Sequence, residues 1–275
     1  VDIRKLPMRF EWVACEGPCR GWVSATGVIT AETPKAFEAF ARGHDLAGVT
    51  VVLDSTGGSV NDAIALGRKW RALGVLTTVG ATVDSPGSAT GLAAVASDAS
   101  CESMCVFLLL SGKVRYVPPG ARVRVHQIWM GDRAEDARAA SYTAQDLMIV
   151  ERDIGRLAKY TFEMGGTGDL LELALGVPPW EALHELSPAE LLRTNVVTTD
   201  AVADVFPRLR DDSTPVARLP GKPVQDRIVS GVTLSGRLSG EPALVPVGAT
   251  TRTAEAATPA SPVKGTASPG AASRP

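Results

Sequence analysis

The 275-residue chain carries 45% hydrophobic and 21% charged side chains, enough apolar material for a real core in one large domain or two small ones. Its net charge of -2 excludes the electrostatic footprint of a nucleic-acid or anionic-membrane binder. The apolar run Val106 to Leu110 is far too short to cross a bilayer, and membrane association is not visible in this sequence.

Between Phe10 and Ile29, Trp12, Val13, Trp22, Val23, Val28 and Ile29 lie among glycines and read as two short strands joined through a cysteine turn. Thr33-Pro34 opens a helix, with threonine as N-cap, and Phe37 and Phe40 are spaced to face a core. His44 near its end suits a solvated place or a partner of the helix dipole. Val49-Thr50-Val51-Val52-Leu53 reads as a strand buried on both faces. It stops at Asp54-Ser55-Thr56-Gly57-Gly58. A helix capped by Ser59, with Asp62 three residues on, then carries Val60, Ala63, Ile64, Gly67, Trp70 and Leu73 at helical spacing. Leu76 to Val79 supplies the next strand of a βαβ unit. Gly80 to Ser100, rich in Gly, Ala, Ser and Thr, reads as one long loop, either a lid or an insertion without a role.

Ser103 ends a polar approach and opens an uncharged segment that runs to Lys113. This predicts a buried helix with Ser103 at its first turn, where free backbone N–H groups favour negative charge. Two roles suit a serine there: a helix cap, or a nucleophile whose oxyanion those amides help to hold. Val114 to Val117 reads as a strand ended by Pro118-Pro119-Gly120. Arg122 to Trp129 alternates, with Val123, Val125 and Trp129 on one face and Arg122, Arg124 and His126 on the other. A long helix is predicted from Glu135 to Met164, with Ala144, Leu147, Val150, Ile154 and Leu157 as its apolar stripe and Gly165-Gly166 as its stop. Shorter helices follow over Asp169–Leu175 and Pro188–Arg193, then a last strand at Val196–Thr198. From about Asp211 the chain is rich in Pro, Ala, Thr, Ser and Gly and is expected to be disordered.

The cysteines fall in two close pairs, Cys15/Cys19 and Cys101/Cys105. Disulfides, a zinc site and free buried thiols are the three readings; disulfides fit best beside an apolar helix and imply an oxidising compartment such as a bacterial periplasm. The sequence does not choose among the pairings, and a Cys101–Cys105 bridge does not fit a regular helix. The chain begins at Val1, and a leader removed beforehand is the expectation.

Ser55-Thr56-Gly57-Gly58, Glu102-Ser103-Met104 and His126-Gln127, in that order, resemble the Clp peptidase family of serine proteases over about Val49 to Val202. The cysteines around Ser103 and the Trp/Cys-rich N-terminal strands are similar to a periplasmic branch of Clp-like proteins. The resemblance implies an α/β fold of the ClpP/crotonase type, stacked ββα units with a long projecting helix. Residues 1–48 would pack on this core, 49–210 would form the Clp peptidase-like domain, and 211–275 would be the tail.

The resemblance further implies a serine endopeptidase with Ser103 as nucleophile and His126 as base. The amides of Gly58 and Met104 would form the oxyanion hole, and Gly57, Ser59 and Gln127 would bind substrate backbone. Thr56 stands where the family has a proline. No aspartate precedes Leu186-Ser187-Pro188-Ala189-Glu190, where the family has one, which leaves Glu181 or Glu185 as the third member. A peptide or protein substrate and a homo-oligomer are expected, with no metal and no cofactor. The alternatives are a catalytically silent Clp-like scaffold and a crotonase-type acyl-CoA enzyme.

Overall fold

The computed structural model describes residues 2–14, 20–84, 93–131, 138 and 141–206. Cys15, Cys19 and the 211–275 tail lie outside them. Strands β1 (Arg9–Val13) and β2 (Trp22–Thr26) pair antiparallel, with Trp12 opposite Val23. Helix α1 (Thr33–Ala41) begins one residue earlier than Thr33-Pro34 suggested. Glu32 takes the cap position, and the Thr33 hydroxyl instead accepts the Thr30 N–H at 2.8 Å. Phe37 is buried, while His44 stacks on Phe40 and bonds its carbonyl at 2.9 Å, at the dipole-partner place.

Strand β3 (Thr50–Asp54) is buried at every residue, as its unbroken β-branched run requires. Helix α2 (Val60–Leu73) follows the glycine turn and ends at Gly74 in the left-handed conformation. Its N-cap Ser59 gives its hydroxyl to the Asp62 carboxylate rather than taking a helix N–H. Strand β4 (Leu76–Val79) runs parallel to β3.

The stretch expected as one loop contains a hairpin, β5 (Ala81–Asp84) against β6 (Ala93–Ala96), and a third strand, β7 (Ser100–Glu102). Alanine-rich strands carry little apolar contrast, so their period of two is faint in the sequence. Helix α3 (Met104–Leu110) follows, with all seven residues buried. Strands β8 (Arg115–Tyr116) and β9 (Arg122–Val125) complete two sheets: β1-β2-β3-β4-β8, parallel from β2 onward, and one in which β9 pairs parallel to β7. Strand β9 is shorter than expected, and His126 lies one residue beyond its end. Val123 and Val125 are buried and Arg122 is exposed, as alternation demands.

Helix α4 (Ala144–Glu163) starts at a capping box formed by Thr143 and Asp146, and the Glu135 end of the expected helix lies outside the described residues. The Thr143 hydroxyl accepts the Asp146 N–H, and the Asp146 carboxylate accepts the Thr143 N–H. Its buried stripe begins at Val150; Leu147 is 48% exposed. Helices α5 (Gly168–Leu175) and α6 (Pro188–Arg193) lie where the periodicity put them. The expected last strand at Val196–Thr198 is irregular chain, with Thr198 N–H on the Arg115 carbonyl at 3.0 Å. The strand at that end is instead β10 (His184–Glu185), antiparallel to β9.

The result is a mixed α/β architecture with six α-helices among the described residues and both parallel and antiparallel pairing. One residue stitches the two larger sheets together. Ser55, just past β3, donates its N–H to Ser100 and accepts the Glu102 N–H, each at 2.9 Å. The glycine turn is thereby fastened beside Ser103.

Candidate active site

Gly57 has φ +90°, and a Cβ there would lie 2.6 Å from the Glu102 carbonyl, 2.8 Å from the Ser103 Cβ and 2.9 Å from the Met104 nitrogen. No larger residue fits between the glycine turn and the serine turn. Ser103 itself has φ +54° and ψ -123°; among the described residues, Asn195 is the only other non-glycine with positive φ. Such a conformation costs on the order of 1–3 kcal/mol and persists only where the surroundings impose it. Here the Ser103 N–H is held on the Arg124 carbonyl at 2.8 Å, so strand, serine and helix form a sharp β7–Ser103–α3 turn. The hydroxyl does not cap α3. Of the two roles a serine at this place can take, the structural one is unused.

A cleft of about 590 Å³ opens at this turn, and Ser103, Met104, Gly58, Ser59 and His126 all line it. The Gly58 and Met104 N–H groups find no acceptor among the described residues. Gly58 cannot carry a side chain, since a Cβ would meet the Ile29 carbonyl at 2.1 Å and its φ is +135°. Burial lowers the pKa of the His126 ring, and the negative charge of Glu102 opposes that shift. The imidazole is therefore neutral near pH 7. No hydrogen bond joins the Ser103 hydroxyl to the His126 ring, although both face the same space.

Neither glutamate named as third member lines the cleft or bonds to His126. Glu185 stands opposite Arg124 in the β10–β9 register and binds its Nε at 3.1 Å. Glu181 makes a backbone turn with Pro178. Arg124 also binds Glu102 through Nη1 at 3.2 Å, so one guanidinium spans two carboxylates. Gly57 sits behind the serine turn rather than on the cleft wall, and Gln127 donates its N–H to Val177 at 2.9 Å.

The far wall holds residues that sequence reasoning did not single out. Ile149 and Asp153, one helical turn apart on α4, both line the cleft. The Asp153 carboxylate is held by Arg152 at 3.0 Å and by Arg156 and Asn61 at 3.3 Å each. Ile128, Trp129 and Met130 add apolar wall, and the Trp129 Nε1–H donates to the Tyr142 hydroxyl at 2.9 Å. The i,i+4 spacing of Ile149 and Asp153 was readable, but nothing in it told cleft from solvent.

Cys101 and Cys105 form a disulfide. The bond is compatible with their spacing because the two residues do not share a helix: Cys101 is in β7, Cys105 in the first turn of α3, and the chain reverses at Ser103. No known family model and no curated protein matches the chain.

Proposed function

We propose that the chain is a serine hydrolase and, within that class, an endopeptidase of the Clp peptidase type. One observation carries the reading: a serine held in a sharp strand-to-helix turn, an imidazole and two unengaged amides converge on one cleft. His126 takes the Ser103 proton as the hydroxyl oxygen attacks a peptide carbonyl, and the Gly58 and Met104 amides receive the oxyanion. The imidazolium then protonates the leaving amine, and water repeats the cycle on the acyl-enzyme. A neutral His126 is the protonation state that this step needs. Hydrogen bonds between nucleophile and base commonly tighten only when substrate is bound, so the unjoined pair is compatible with the reaction.

The finer fold belongs to the same proposal: stacked ββα units of the ClpP/crotonase type, with α4 as the projecting helix. Leu147 and Met148, 48% and 67% exposed on α4, support a homo-oligomer built through that helix. The Cys101–Cys105 bond supports an extracytoplasmic, periplasmic setting. A second reading, the catalytically silent scaffold, is favoured by the missing Ser103–His126 hydrogen bond and by the lack of a carboxylate bonded to the ring among the described residues. Fluorophosphonate labelling read by intact mass separates the two. The hydrolase gives one adduct on Ser103, lost in Ser103→Ala and slowed on the order of 100-fold or more in His126→Ala. An unlabelled wild-type protein overturns the hydrolase reading.

A further inference from the structure

We infer that the Cys101–Cys105 disulfide is a positioning device for the Ser103–Met104 turn, and that the nucleophile and one oxyanion amide depend on it for their placement. This rests on the reading of Ser103 as nucleophile. The bond closes a ring of five residues, Cys101 to Cys105, with Ser103 at its centre. Serine hydrolases that carry their nucleophile between a strand and a helix place small residues, typically glycines, two positions before and two after it, because the reversal forces those positions together. Here both of these positions are cysteines, bonded to each other. The crowding that glycine relieves elsewhere is used here for a covalent link.

The rest of the surroundings shows why such a link is useful. Ser103 occupies φ +54° on the strength of two kinds of contact besides the disulfide: its own N–H on Arg124 and the close approach of Gly57. The Ser103 side chain adds nothing, since it neither caps α3 nor bonds His126. Met104 N–H has no acceptor among the described residues to fix it. Both cysteines are fully buried, at 0% exposure, with Cys101 paired to Val123 in β9 and Cys105 inside the core cluster. One end of the ring is thus anchored in a sheet and the other in a packed helix. A ring this short removes little disorder from the unfolded chain compared with a long loop, so its effect is expected to be local rather than global.

The test uses the full chain with Cys101→Ala/Cys105→Ala and, as a second variant, Cys101→Ser/Cys105→Ser. Two readouts are taken: amide hydrogen exchange across residues 100–106, and fluorophosphonate inactivation resolved into a maximal rate and an apparent affinity. The expected result is faster exchange confined to that segment, with the maximal inactivation rate reduced roughly 10- to 100-fold and the affinity unchanged. A merely structural bond would not split the two inactivation constants in this way. Unchanged exchange overturns the inference, as does an unchanged maximal rate in a protein that labels. Global unfolding of both variants overturns it as well, because the bond then supports the whole domain. If wild type does not label, the hydrolase reading fails on its own and the exchange result alone decides the role of the bond.

Discussion

At its C-terminal end α3 hands each of its last four carbonyls to a side chain, whereas at its N-terminal end an amide is left facing a cleft. Phe107 accepts from the Tyr160 hydroxyl at 2.9 Å, Leu108 from Ser111 at 2.7 Å and Leu109 from Thr77 at 2.7 Å. Leu110 accepts from Arg71 at 3.0 Å and from Arg115 at 3.4 Å. Neither guanidinium has a carboxylate partner among the described residues, and both stand at the negative end of the helix dipole. Burial, together with the charge of Arg71, pulls the Arg115 pKa down to about 10. At the other end, Met104 N–H has no acceptor among the described residues and Ser103 declines the cap. A helix buried along its whole length satisfies its polar groups wherever function does not need them. The open end marks the place where a ligand is expected to supply the missing acceptor.

The contrast breaks most severely at Gly57. In Gly57→Ala the new methyl would collide with the Glu102 carbonyl, the Ser103 Cβ and the Met104 nitrogen, and alanine resists φ +90°. We expect Ser103 labelling to fall on the order of 100-fold or more while the C-terminal end of α3 keeps its exchange protection. Wild-type labelling in this variant would show that the turn does not position the serine.

The opposite end gives a smaller effect of a different kind. Arg115→Met removes donors from the Gly112 and Asn195 carbonyls, both at 2.8 Å, and weakens the Leu110 contact. It also relieves the burial of a charge, so a net loss of about 2 kcal/mol is expected, or roughly 4–8 °C in melting temperature. Arg115→Lys should not recover it, because one ammonium cannot reach carbonyls placed around a planar fork. Calorimetry checks the stability, and a labelling rate per folded molecule close to wild type would confirm that the two ends are independent.

Much of the open end was legible because its signals are short-range. The β3 run, the Gly57-Gly58 pair and the spacing of Val60 to Leu73 fix a strand, turn and helix within about two dozen residues, and the structure follows them almost residue for residue. The uncharged Met104–Leu110 run likewise marked a buried helix. What was hidden depends on distant partners. The two-residue strand β10 exists only because Val125 and Arg124 lie beside it. The start of α4 at Ala144 is set by the hydrogen bonds of a capping box, which the apolar period of the helix does not encode. The partner of Arg115 could not be guessed, since backbone carbonyls carry no signature in a sequence. The carboxylates near His126 are set by sheet register, which placed Glu185 on Arg124 instead.

The smallest expected effect concerns the charge around the imidazole. Glu102 and Arg124 are paired in the β7–β9 register, two residues before His126, and Asp153 lines the same cleft as His126. Burial holds the His126 pKa below its ordinary 6.5, and Glu102 is the charge that pulls it back up. The acidic limb of the wild-type inactivation profile should therefore have its midpoint below 6.5. Glu102→Gln removes the opposing charge, depresses the pKa further and moves that limb to lower pH, so the variant keeps more of its maximal rate in acid than wild type does. The same depression acts on stability: below 6.5 the unfolded chain binds a proton at this site that the folded chain resists, so stability present above 6.5 is lost progressively as pH falls from there through the lower folded-state pKa of His126. His126→Gln should flatten this part of the stability profile. A limb that stays in place or moves to higher pH in Glu102→Gln would show that Glu102 does not raise the His126 pKa.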